Sequence, residues 1–227
     1  MTLVAHGIVA APPVALSAAG LRGRPLGWTD CGDLGVWTTD LGGPLRLDRQ
    51  DAFAHHRVVE EICAAQTFLP VRFGTVFATA DAARDSLRER AEELRGALTL
   101  VDGKRELAVT LLWRDAPTAA VPAELSSVGP GTRFMEERRA HYEAENWRRR
   151  RAAELAASLV AELAVERELV WHEICTSAHV AVSLAVLVPS DQAERRKKML
   201  AQASARLADV TGVVNGPWPP YTFVGNR

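Results

Sequence analysis

Cysteine is scarce and scattered: Cys31, Cys63 and Cys175 are the three in 227 residues, with no Cys-x-x-Cys pair among them. Such a set builds neither a disulfide framework nor a cysteine zinc site, and it suits a reducing cytoplasm. An excess of one charge is absent as well, with 27 Lys plus Arg against 28 Asp plus Glu. No whole-molecule field then draws the chain to nucleic acid, to an anionic membrane or to acidic substrates, so a charged partner must be met by a local patch. Membrane-length apolar runs are also missing. The uncharged stretch Ile174–Ser190 falls short of the roughly 20 residues a spanning helix needs, and its valine-rich alternation predicts a buried strand. Met1–Leu21 is mostly apolar but lacks a basic start and is interrupted by Pro12-Pro13, so it does not read as a secretory signal.

Motifs that carry catalysis are lacking too. Neither Gly20-Leu-Arg-Gly23 nor Gly129-Pro-Gly131-Thr132 supplies the lysine that a phosphate loop requires. His172-Glu173 has no second histidine four residues after the first, and a strand would send the two side chains to opposite faces. There is no Gly-x-Ser-x-Gly elbow. Cys63 falls on the inner face of a predicted helix, as a small core residue rather than a reactive thiolate. No catalytic, cofactor-binding or metal-binding residue is assigned, and no enzyme is expected. An enzymatic alternative rests on the cluster His55, His56, Glu60 and Arg72.

What is present is an apolar fraction of 48%, enough to bury a sizeable core in one large domain or two small ones. Leu3–Ala10 alternates as a first strand, and Gly27–Cys31 and Gly35–Thr39 read as a hairpin about Gly32-Asp33. Asp48 is placed to cap a helix whose inner face carries Ala52, His55/His56, Val59, Ile62/Cys63 and Gln66. A second helix is predicted over Asp81–Leu98, followed by a strand over Arg105–Trp113. Residues 116–131 are rich in proline and glycine and read as a linker. Beyond it the pattern predicts a long amphipathic helix over Arg133–Arg167, strands over Glu168–Thr176 and Ala178–Val188, a helix over Asp191–Ala208 and a strand over Thr211–Asn215. The fold class expected is α+β in two small domains, 1–115 and 132–227, with long amphipathic helices packed on antiparallel sheets. The second domain is expected to be ferredoxin-like, a β-α-β-β-α-β unit that is complete if one more strand precedes the long helix. The basic runs Arg148–Arg151 and Arg195–Lys198 raise a nucleic-acid-binding alternative, but neighbouring glutamates favour ion-paired, solvated helix faces.

Two segments stand apart from this pattern. In Leu69-Pro-Val-Arg-Phe-Gly-Thr-Val-Phe77, Pro70 forces the chain out of helix and Gly74 permits a turn that a Cβ would forbid. The plain reading has Arg72 tying the helix end to a loop while Phe73, Val76 and Phe77 fill the core. In Gly216-Pro-Trp-Pro-Pro-Tyr-Thr-Phe223, three prolines stiffen an extended path that holds Trp218, Pro219, Pro220 and Tyr221 in fixed positions. Such a tail either docks on its own domain or presents aromatic anchors to a partner.

These two segments, with His55-His56-Arg-Val-Val59 and the opening Gly7-Ile8, resemble the gas vesicle protein L/F family in order and spacing. The resemblance implies a cytoplasmic, gas-vesicle-associated accessory protein that is not an enzyme and takes no cofactor. It further implies contact with the small apolar shell protein GvpA and with other accessory proteins, with no nucleic acid and no membrane as partner. The residues expected to mark a partner contact are Arg72, Phe73, Gly74, Phe77, Trp218, Pro219, Pro220 and Tyr221. Val4-Ala5-His6 stands where an aromatic-rich first strand is associated with the family, which leaves the choice between L-like and F-like open.

Overall fold

Leu3–Ala10 forms β1, the strand about which the first sheet is assembled; seven of its eight residues are buried, so both faces are covered. In the computed structural model, residues 2–43, 46–114, 130–163, 166, 169–175, 177 and 179–224 are described. The hairpin expected about Gly32-Asp33 is present as β2 (Leu26–Asp30) and β3 (Leu34–Asp40), and β3 pairs antiparallel with β1. On the other side of β1 lie β4 (Phe68–Pro70) and β5 (Val76–Phe77), both antiparallel to it, giving the order β2-β3-β1-β4 with β5 beside β1.

Helix α1 (Arg49–Ala65) starts at Asp48, whose carboxylate accepts from the Asp51 backbone at 2.9 Å while Asp51 returns the bond to the Asp48 backbone at 3.2 Å. This reciprocal cap satisfies donors that the first turn otherwise leaves open. The buried side chains at Asp51, Ala54/His55, Val58/Val59 and Ile62/Cys63 follow the helical period from that cap. The phase is one residue off the expected face: His56 is exposed, and Ala52 and Gln66 are half-buried. The apolar members of this stripe cluster with Val9, Trp37 and Phe68 on one face of the sheet. Ile8 and Val36, each one residue displaced from Val9 and Trp37, face the other way toward α2 (Ala80–Glu89) and α3 (Ala91–Val101). The single helix expected over 81–98 is therefore two, broken at Arg90 (φ −111°, ψ 14°), where the acidic first turn of α3 brings Glu93 under the Arg90 guanidinium.

The second unit is built on β6 (Lys104–Trp113), α4 (Pro130–Leu163), β7 (Val170–Ile174), β8 (Val180–Pro189), α5 (Ala193–Ala205) and β9 (Val210–Trp218), with strand order β7-β8-β6-β9. Leu107, Val109, Leu111 and Trp113 alternate along β6 and join Leu155, Leu159 and Leu163 of α4 and Leu200 of α5 in one core. That seam is the i, i+4, i+8 stripe legible in the sequence. β6 precedes the long helix, so the elements of this unit run β-α-β-β-α-β along the chain. The chain divides accordingly into Met1–Glu106 with Trp218–Arg227, and Leu107–Pro217. This differs from a division at residues 116–131, because the pairing of β6 and the return of the tail outweigh composition. Residues 115–129 lie outside the described residues, and residues 130 and 131 already belong to α4. Among the described residues no helix is long and apolar enough to cross a membrane.

Candidate functional site

The segment Leu69–Phe77 is an edge strand interrupted by a surface excursion. Gly7 pairs with Pro70 and Val4 with Val76, so three steps along β1 are matched by six along the edge. The surplus is taken up at 71–75, pinned at both ends by Val71 N–H donating to His6 C=O at 3.0 Å and Ala5 N–H donating to Thr75 C=O at 3.0 Å. A turn closes it, with Thr75 N–H donating to Arg72 C=O at 3.1 Å and Gly74 at φ +90°, where a β-carbon would be strained. As a result Phe73 and Val76 are not core residues as alternation suggested: they are 38% and 41% exposed. The alternation is real but the strand is not continuous through it. The Arg72 side chain is exposed and makes no ion pair or side-chain hydrogen bond among the described residues, rather than tying down the helix end.

Beneath this excursion runs a buried polar chain that no motif announces. His55 Nε2 lies 3.1 Å from Val71 C=O, His55 Nδ1 lies 2.9 Å from His6 Nδ1, and His6 Nε2 lies 2.8 Å from Thr39 Oγ1. A carbonyl only accepts, so His55 Nε2 donates and its Nδ1 accepts. His6 Nδ1 therefore donates, its Nε2 accepts from the Thr39 hydroxyl, and Thr39 in turn accepts from Leu21 N–H at 3.2 Å. The directions close with both imidazoles neutral. Burial pushes the His6 pKa down to about 3, with the neighbouring His55 charge acting the same way. Burial likewise lowers that of His55, against its bond to Val71. The Phe73 ring packs on His55 at 5.4 Å between centroids.

The tail from Trp218 returns to the first unit. Pro219, Pro220 and Phe223 are buried, Tyr221 is half-buried beside the cluster that contains Val58, Val59 and Phe68, and Trp218 stays half exposed. Burial, reinforced by Glu60 and Cys63, pushes the Tyr221 hydroxyl up to about 12. The Glu106 carboxylate fastens the tail by accepting from Thr222 N–H at 2.8 Å and from the Thr222 hydroxyl at 2.7 Å. Burial raises the Glu106 pKa despite those two bonds.

Both segments meet at an open groove of about 590 Å³ in the first unit, where Arg72 and Phe77 stand with Tyr221 over a floor that includes Ile8, Val36 and Leu87. Phe73, Gly74 and the three residues Trp218–Pro220 do not line it. Leu87, Arg90 and Leu94 do, and sequence reasoning left them in an ordinary amphipathic helix. The proposed His55, His56, Glu60, Arg72 cluster does not converge: His55 is buried with both nitrogens engaged, while the other three are exposed. Among the described residues no group of three or more His, Cys, Asp or Glu side chains is placed to hold a metal ion.

The basic runs are largely committed within the second unit. Arg148 is buried, Arg149 lies 3.7 Å from Glu145, and Arg151 pairs with both Glu154 and Asp209. Arg196 and Lys197 donate to the backbone carbonyls of Leu163 and Gly216.

Residues 3–225 match the family described as gas vesicle synthesis protein GvpL/GvpF. Gas vesicle protein L2 of Halobacterium salinarum is 33% identical over 192 residues, covering 74% of this chain and 68% of that protein. Gas vesicle protein F1 of the same organism is 24% identical over 228 residues, covering 98% and 92%. The crystal structure of GvpF from Microcystis aeruginosa superposes with a TM-score of 0.75 at 16% identity, covering 99% of each chain. That of GvpF from Anabaena gives 0.74 at 19% identity, covering 100% of this chain and 97% of the other.

Proposed function

Because this chain belongs to the gas vesicle synthesis protein GvpL/GvpF family and so takes part in gas vesicle formation, we propose that it is an accessory protein that holds or places the apolar shell protein GvpA, together with other accessory subunits, while a vesicle nucleates in the cytoplasm. A shell subunit that keeps water out of a gas space exposes apolar surface before it is assembled, and such surface aggregates unless it is covered or delivered. The observation that carries this reading is the joining of Arg72, Phe77 and Tyr221 at one open groove, whose half-buried apolar lining also includes Val71 and Val224. Nothing in this role calls for catalysis.

The test is co-expression of the shell protein with and without this chain. The expected result is more shell protein in the soluble fraction and its co-purification with this chain. Unchanged solubility together with no co-purification sinks the proposal.

A further inference from the structure

The groove's charge is one-sided. Two arginines line it, Arg72 and Arg90, and no carboxylate does. Arg90 is already satisfied, its guanidinium donating to both oxygens of Glu93 at 3.0 and 2.8 Å. Elsewhere in the first unit Arg22 pairs with Asp51, Arg84 with Asp81 and Arg95 with Asp33, whereas Arg46 and Arg57, away from the groove, make no ion pair among the described residues. Arg72 makes no such pair among the described residues, although its backbone is fixed by the turn to Thr75 and by the pinned ends of the excursion. An exposed cation thus stands at a groove whose accessible apolar lining is the half-buried Val71, Phe77, Tyr221 and Val224, while Ile8, Val36, Leu87 and Leu94 are buried at its base.

Resting on the role proposed above, we infer that this groove receives an apolar peptide segment of the partner protein bearing one aspartate or glutamate side chain, and that the Arg72 guanidinium is the receptor for that carboxylate. The planar guanidinium matches a carboxylate with two parallel donors, which gives direction to an otherwise undirected apolar contact. The volume of about 590 Å³ suits a few side chains and not a whole domain. The half-buried Val71, Phe77, Tyr221 and Val224 supply contact area, and the single charge selects register: a segment shifted by one or two positions presents a side chain that leaves Arg72 unmatched.

The test uses the whole chain with two readouts. In the first, a fluorescent capped peptide, Leu-Val-Glu-Val-Leu, is titrated beside the same peptide with Gln at the centre, against wild type, Arg72→Gln and, as an exposed arginine outside the groove, Arg57→Gln. The Glu peptide is expected to lose about tenfold in affinity on Arg72→Gln and to be unmoved by Arg57→Gln, while the Gln peptide is indifferent to Arg72→Gln. Equal binding of the Glu and Gln peptides by wild type overturns the inference. So does a Gln-centred peptide with a free C-terminus that binds as well as the capped Glu peptide, since the receptor would then take a chain terminus. In the second readout, Arg72→Gln is expected to lower capture of co-expressed shell protein. Capture undiminished by Arg72→Gln overturns the inference and leaves the proposed role standing, whereas no capture by wild type removes the role itself.

Discussion

His6 and His55, 49 residues apart, meet nitrogen to nitrogen at 2.9 Å, and the hydrogen bonds at their far sides leave both rings neutral with one direction of donation. The pair joins β1 to α1 and, through Val71, holds the root of the exposed excursion. A second proton on His55 sets two donors against each other at the Nδ1 contact, and one on His6 places a charge in the buried chain.

Stability should therefore fall in acid before the carboxylates titrate. The His6 pKa is lowered from 6.5 to about 3 in the folded state, so the unfolded chain binds the proton first as pH drops. The His6 contribution is fully present above about pH 6.5 and is lost at up to about 1.4 kcal/mol per pH unit between there and about pH 3. The lowered His55 pKa acts in the same direction. Urea denaturation from pH 7.5 to 4.5 should give a falling unfolding free energy, and His6→Leu should flatten the slope. It should also cost about 1–3 kcal/mol at pH 7.5 for each partner left unpaired, at Thr39 and His55.

Phe73→Ala should separate surface from scaffold. The ring is partly exposed and meets His55 at a tilt of 57°, so its removal should cost about 1 kcal/mol or less in denaturant. Capture of shell protein should fall if the excursion belongs to the contact surface. A loss of several kcal/mol would mean that Phe73 is a core residue after all.

Thr222 should be the fastening of the tail. Thr222→Val removes the hydroxyl donor to a buried carboxylate and should cost about 1.5–3 kcal/mol. Glu106 has a raised pKa, so the folded state holds its proton more tightly than the unfolded one. Its ionisation weakens the fold as pH rises from the unfolded carboxylate value, 4.5, through the raised one. Removing a donor raises that pKa further, so the Thr222→Val defect should be larger at pH 7.5 than at pH 5. Limited proteolysis after Trp218, followed by mass spectrometry, should detect release of the tail.

Leu155→Ala should be costly in the second unit. Leu155 is 2% exposed within the core formed by α4, α5 and the sheet, and a leucine truncated in such a setting costs about 2.7–5 kcal/mol. Near-ultraviolet circular dichroism of Trp113, whose side chain belongs to the same core, should lose intensity at lower denaturant than in wild type.

Local periodicity made most elements legible in the sequence, since Leu155, Leu159 and Leu163 or the Asp48 cap act within a turn or two of themselves. Pairing across the chain was not legible. Nothing near Lys104–Trp113 says that it will pair beside β8 and β9, and nothing near Thr222 points to Glu106, 116 residues away. Phe73 was misplaced because alternation presumes an unbroken strand, and only the register of β4 and β5 against β1 exposes the break. Of the groove, Arg72, Phe77 and Tyr221 were marked in advance. Leu87, Arg90 and Leu94 were not, because a helix facing a cleft and a helix facing a core carry the same stripe.

The excursion between β4 and β5 is bonded to β1 on both sides of its turn, so the ladder resumes whatever lies between. The fold is insured against change at that place. While Gly74 keeps the turn, the side chains at 72 and 73 can change at a stability cost of about 1 kcal/mol or less, and a lineage can retune whom this surface greets while the sheet beneath it stays as it was.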